Sequence, residues 1–310
     1  MKKFKNIIIV LILPIVFFLS CDNEKFTDSI FKDVPVLDTA AFTYRFDKWL
    51  YDNYLVPYNL DFRYKMQDVG SDQGYNLVPA DLIKSEQLAH LIRYLWFDVY
   101  GTIVDEDFLK FYGPRMIQLI GSSAINASLG TEILGTAEGG IKVTLYVVNR
   151  LNLADLEHMN RYYFHVMHHE FMHILHQTKA YPREYAAISA GKYDPMGWQL
   201  SSDAEANELG FVTNYSMSES QEDFVEVIST YITKSDAGWK QILNNAAKGG
   251  IEKDKDGKII KTGKDVIEQK FEICRAWLEE KWDIDLHALH NEVQYRQANM
   301  DMEKIMNDDY

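Results

Sequence analysis

Residues 168–177 read HHEFMHILHQ, and no other stretch constrains the fold so tightly. Inside it, His169-Glu170-Phe171-Met172-His173 sets two histidines four residues apart with an acid beside the first. On a helix, positions four apart share one face and lie about 6 Å from each other along the axis, so two imidazoles can grip one ion. The glutamate next to the first histidine then reaches a water on that ion. The pattern therefore predicts a helix, beginning near Asp155 and ending before Pro182. Imidazole and carboxylate ligands at a tetrahedral site with one open position suit a single Zn2+ ion.

Two further histidines, His165 and His176, fall on or near the same helix face. His176 follows His169 by seven residues, about 10 Å along the axis, so one ion does not take both. They are read as lining or supporting the site. His168 points about 100° away from His169 and is read as structural. The third ligand has to come from elsewhere, because Ile174-Leu175-His176-Gln177 does not continue into a further His-x-x-Gly-x-x-His. Two groups of acids are candidates, Asp203, Glu205 and Glu208, and then Glu222, Asp223 and Glu226. The second is favoured. Ser218 and Gln221 can form a capping box, and Phe224, Val225 and Ile228 give that helix an apolar face, so Glu222 and Glu226 share an orientation.

Elsewhere the chain alternates helix and strand before turning mostly helical. Helices are expected from Thr39 to Tyr51, Pro79 to about Tyr100, Asp203 to Leu209, Ser220 to Ile232, Trp239 to Ala247, Val266 to Lys281 and Leu286 to Met306. Strands are expected at Tyr58 to Met66, Arg115 to Ile120 and, after Gly139-Gly140, Ile141 to Asn149, which has the highest β-branched content. That last strand is either an edge onto which an extended peptide adds or an ordinary buried one. Asp256-Gly257 marks a hairpin, and its loop lacks the later ligands that calcium needs. The fold class is α+β. Residues 37–310 are read as one catalytic domain, with an N-terminal subdomain at about 37–180 and a C-terminal one at about 181–310 that presents Glu222 across a cleft.

At the start of the chain, Lys2, Lys3 and Lys5 precede an apolar run from Ile7 to Leu19. The run is too short to cross a bilayer comfortably and fits a secretory signal over residues 1–20. Phe18-Leu19-Ser20-Cys21 resembles the lipobox of bacterial lipoproteins, which implies cleavage before Cys21 and its lipidation. Residues 21–36 then form a tether from the lipid anchor, and Asp22-Asn23-Glu24 resembles an acidic tag for export to the outer face of the outer membrane. Once Cys21 is lipidated only Cys274 remains, so stability rests on packing; Cys274 sits in an apolar helix and is read as an inert thiol. Trp198, Trp239, Trp277 and Trp282 are read as core. With 47% hydrophobic residues the chain can bury such a core, and a net charge of −14 without a basic stripe excludes nucleic acid as a partner.

The active-site residues carry a resemblance. His169-Glu170-Phe171-Met172-His173 together with Tyr215 seven residues before Glu222, in Glu222-Asp223-Phe224-Val225-Glu226, resembles the gluzincin pattern of the anthrax-type lethal factor catalytic domain. The resemblance implies a zincin-like fold, Glu222 as the third zinc ligand, Tyr215 as donor to an oxyanion, and Glu226 as hydrogen-bond partner of a ligand histidine. It also implies that Glu170 acts as general base on the attacking water. From the lipobox through Gly210-Phe211, Tyr215, EDFVE and Trp282-x-Ile284-Asp285-Leu286, the whole chain is similar to a zinc-binding metallopeptidase family, the import-associated zinc metallohydrolase lipoproteins. Val225 stands where that family usually has alanine. The similarity implies a peptide or protein substrate, an outer-membrane and cell-surface location, and a TonB-dependent importer complex as partner. The rival reading is a non-catalytic zinc-binding accessory lipoprotein of the same import system; a zinc hydrolase of non-peptide amides or esters has the same chemistry at its site.

Overall fold

The computed structural model describes residues 37–67, 75–125, 132–133, 135–138 and 141–310. The secretory signal, Cys21, the tether and Gly139-Gly140 lie outside the described residues. The chain divides at Tyr44/Arg45 into two units, of which the second, residues 45–310, is compact. The second unit carries every candidate site residue except Cys21.

A four-stranded sheet is built from β1 (Asp61–Arg63), β2 (Met116–Leu119), β5 (Gly135–Glu138) and β6 (Lys142–Leu145) in the order β1-β2-β6-β5. Two small antiparallel pairs complete the strands, β3 (Ala124–Ile125) with β4 (Glu132–Ile133), and β7 (Gly250–Lys253) with β8 (Ile259–Thr262). In the main sheet β1, β2 and β6 are parallel, in register through Phe62, Ile117 and Val143, whereas β5 runs antiparallel to β6 and pairs Gly135 with Leu145. Of the two readings left open for Ile141 to Asn149, edge or ordinary buried strand, the buried one is found. Only Lys142–Leu145 is strand, it lies between β2 and β5, and Val143, Thr144 and Leu145 are buried, as an interior strand requires. Its early end has a local cause. Val147 adopts φ 67°, a left-handed conformation rare for a β-branched residue, and is held there as its N–H donates to Ser122 O (3.0 Å) and its carbonyl accepts from the Tyr163 hydroxyl (3.1 Å).

Other boundaries move for similar reasons. The strand expected at Tyr58 to Met66 shrinks to three residues because a short helix, Val56–Tyr58, runs into it and ends on Asn59 at φ 51°. The helix expected from Pro79 begins at Leu82, where the Asp81 side chain accepts from Lys84 N (3.0 Å); it continues through a π-helical turn, Arg93–Phe97, to Ile103. The expected Leu286 to Met306 helix is two, Leu286–Ala298 and Met302–Met306, separated where Asp301 caps the second. At the β7–β8 hairpin, Asp254 accepts from the N–H groups of Asp256 and Lys258 (3.0 and 2.9 Å), so its carboxylate closes the turn.

Two packed helices carry the site. The motif helix, His165–Thr178, follows a π-helical turn, Asn160–Phe164, and a first turn capped by Asp155. It buries Val166, Met167, Phe171, Ile174 and Leu175, with Phe171 edge-on to Trp96 (5.2 Å between ring centroids). The acidic helix, Ser220–Thr233, buries Phe224, Val225, Val227 and Ile228; Phe224 stacks on Tyr181 (4.5 Å) and meets Trp277 edge-on (5.1 Å). The capping box expected of Ser218 and Gln221 does not form. The cap residue is Glu219, without a side-chain bond, and the helix is seated by its buried apolar face together with its buried Asp223 and Glu226. Trp277 and Trp282 are core, while Trp198 and Trp239 are half-buried against it. Among the described residues no helix is long and apolar enough to cross a membrane.

Candidate metal centre

The motif and acidic helices pack so that three potential ligand atoms converge. Glu222 Oε2 lies 3.1 Å from His169 Nε2 and 3.3 Å from His173 Nε2, and the two nitrogens are 3.1 Å apart. Tetrahedral zinc at its usual bond lengths of about 2.0–2.1 Å sets its ligand atoms roughly 3.3 Å from one another, so the donor set and its spacing fit zinc.

The outward nitrogens of both imidazoles are held. His169 Nδ1 is 2.8 Å from Glu226 Oε1, which also meets His165 Nε2 at 2.7 Å, while Glu226 Oε2 accepts from the Thr213 hydroxyl (2.6 Å). His173 Nδ1 lies 2.9 Å from His176 Nε2. Burial, with the nearby His173, lowers His176 to about 4, so it is neutral and able to accept through Nε2, the tautomer that puts the His173 proton on Nδ1 and leaves its Nε2 for a metal. Both ligand rings are thereby locked with Nε2 free to coordinate. His165 lies against Glu226 and His176 against His173, and neither joins the three converging atoms. His168 is fully buried, meets the Tyr100 hydroxyl through Nδ1 (3.0 Å), and is lowered to about 3 by burial; its role is structural.

The electrostatics favour a cation. Burial works against charge on His169, yet Glu222 and Glu226 overcome it and raise the imidazole well above its usual value. Burial likewise opposes ionised Glu222, and the closeness of His169 and His173 holds its carboxyl far below the ordinary range. Glu170 is half-buried on the motif helix beside His169. The Tyr215 ring stands 5.9 Å from His169, and burial, reinforced by the Glu222 charge, raises its phenol, which keeps it a hydrogen-bond donor.

The first acidic group is occupied otherwise. Asp203 accepts from Asn214 N (2.8 Å) and Glu205 closes a capping box with Ser202. Three contacts around the site were not foreseen, although Asp223 was weighed as an acid candidate and Trp198 was read as core. Thr213 is one. The second is the fully buried pair Lys270–Asp223 (2.7 Å), in which Lys270 also donates to Gly210 O (2.8 Å) at the root of the Tyr215 loop. Lys270 shares a helical stripe with Ile267 and Cys274, and a lysine on such an apolar stripe is the signal that could have marked it. The third is Trp198, whose ring meets Tyr215 edge-on at 4.9 Å.

Comparison with known proteins bears on this geometry. A family model described as "Putative zinc-binding metallo-peptidase" matches residues 40–287. A crystal structure from Bacteroides caccae of a protein with the same description is 40% identical, covers 84% of this chain and 95% of its own, and superposes with a TM-score of 0.68. No curated protein matches significantly. The matched span contains His169, His173 and Glu222 and the two helices that bring them together, and zinc is the cofactor this family's description names. The chain belongs to this family of zinc-binding metallopeptidases.

Proposed function

We propose that the protein is a lipid-anchored, gluzincin-like zinc peptidase that cleaves peptide bonds at the outer membrane. One observation carries the reading: two imidazole nitrogens and one carboxylate oxygen stand 3.1–3.3 Å apart, with Glu170 on the same helix as the imidazoles. His169, His173 and Glu222 would hold the zinc, which when bound would supply an electrophile able to acidify water and polarise a carbonyl. Glu170 accepts the proton of the attacking water and returns it to the departing amine nitrogen as the C–N bond breaks. The Tyr215 hydroxyl donates to the oxyanion that develops on the carbonyl oxygen. Glu226 and His176 keep the two ligand rings oriented throughout. Strand β5 ends the sheet on its side, so its outer edge suits main-chain pairing with an extended substrate.

The lipobox at Cys21 supports anchoring, and the resemblance to import-associated lipoproteins supports a place beside a TonB-dependent importer. Glu170→Gln is expected to retain zinc and fold while cleavage of a mixed peptide library falls by a factor of at least about 10². Unchanged cleavage would overturn the peptidase reading and favour the accessory one. Cys21→Ala is expected to move the protein from the membrane fraction to the soluble one.

A further inference from the structure

The loop Asp194–Ser201 is fastened on both sides of the Tyr215 turn. At its start, Asp194 N donates to Met217 O (2.7 Å); at its end, Ser201 O accepts from Asn214 Nδ2 (2.9 Å). Between these anchors Trp198 lies half-buried, packed on one side against the cluster of Ala206, Phe211 and Met217 and meeting the Tyr215 ring edge-on at 4.9 Å. Tyr215 in turn stands 5.9 Å from His169. The loop is braced internally as well. Gly197 N donates to Asp194 Oδ1 (2.9 Å), Gln199 Nε2 donates to Met196 O (2.7 Å), and a Cβ at Gly197 would sit 2.3 Å from Asp194 Oδ2.

This braced loop nevertheless leaves Met196 74% exposed and Leu200 86% exposed. A single exposed leucine is ordinary; here two large exposed apolar side chains stand two residues to either side of a half-buried tryptophan, on a fastened loop that meets Tyr215. The loop has no cation, and its one charge, Asp194, is at its start and accepts from Gly197 N, so the stretch from Met196 to Leu200 carries no charged side chain. Its order is already established before a ligand arrives, which lowers the entropy cost of binding.

We infer that the loop Asp194–Ser201 is the wall of a subsite, next to the Tyr215 side of the metal centre, for a large apolar or aromatic side chain of the peptide substrate. The inference rests on the peptidase reading and adds the substrate class to it. Trp198 supplies the floor, continuous with Tyr215, and Met196 and Leu200 supply adaptable apolar contact.

The test uses two heptapeptides, Gly-Gly-Gly-Phe-Gly-Gly-Gly and its Ser counterpart, titrated against zinc-loaded full-length Glu170→Gln protein by tryptophan fluorescence and calorimetry. The Phe peptide is expected to bind about tenfold tighter. Adding Met196→Ser and Leu200→Ser is expected to bring that preference below about threefold while zinc content stays the same. Equal binding of the two peptides, no binding of either, or a preference unchanged by the two serines overturns the subsite. The two readings fail separately. If the Phe preference holds while unsubstituted protein cleaves neither peptide nor a library, the peptidase reading falls and the subsite stands. If the unsubstituted protein cleaves a library without regard to apolar residues, the subsite falls and the peptidase stands.

Discussion

Glu226 Oε1 sits 2.8 Å from His169 Nδ1, on the opposite side of the ring from the nitrogen that faces Glu222. The carboxylate can only accept, so it fixes Nδ1 as the protonated nitrogen and leaves Nε2 for the metal. Glu226→Gln replaces one acceptor oxygen with a donor and removes a charge. The expected result is a 10–100-fold loss of zinc affinity in competition with a chelator, with an unaltered circular dichroism spectrum.

Lys270 and Asp223 are both fully buried and 2.7 Å apart. Burial lowers the lysine and raises the aspartate, and their attraction offsets these effects only in part. Lys270→Met leaves Asp223 buried without its partner and is expected to cost about 3–5 kcal/mol in urea unfolding. The double variant Lys270→Met/Asp223→Leu is expected to recover most of that, since neither charge is then stranded. A single-variant loss below about 1 kcal/mol would mean that water reaches the pair.

His90 lies far from the metal centre in sequence and contact, stacked on Trp49 at 3.7 Å with Nδ1–H donating to Ile305 O (3.1 Å). Burial lowers its basicity below the usual 6.5, against the opposing pull of Asp308. The unfolded chain therefore binds this proton more readily than the folded one. Its contribution to stability is full above about pH 6.5 and declines as pH falls below that value. His90→Gln is expected to flatten the dependence of unfolding free energy on pH below about 6.5, measured by denaturant titration at several pH values.

The parts of the site that depend on local periodicity were legible. His169, Glu170 and His173 carry their geometry in their spacing, and the acidic helix shows its apolar face in Phe224, Val225 and Ile228. The parts that depend on tertiary contact were not. Thr213 reaches Glu226 and Lys270 reaches Asp223 only once separate segments pack, and neither pair has a spacing rule. Strands β1, β2 and β6 were legible in type, with β1 and β6 misjudged in length because Asn59 and Val147 take left-handed conformations that cut them short, whereas β3, β4 and β5 were not expected at all. For Val147 no residue preference announces this, since its conformation is imposed by Ser122 and Tyr163 from outside the strand. That β6 is interior follows from its pairing with both β2 and β5, which composition could not distinguish from an edge.

Zinc stoichiometry after dialysis tests the central claim most directly, namely that His169, His173 and Glu222 hold one ion together. Elemental analysis of unsubstituted protein is expected to return about one zinc per chain, and Glu222→Ala, folded by circular dichroism, less than about a tenth of that, because two imidazoles alone leave half of a tetrahedral shell to water. A Glu222→Ala protein that keeps its full zinc content with unchanged affinity would contradict the claim.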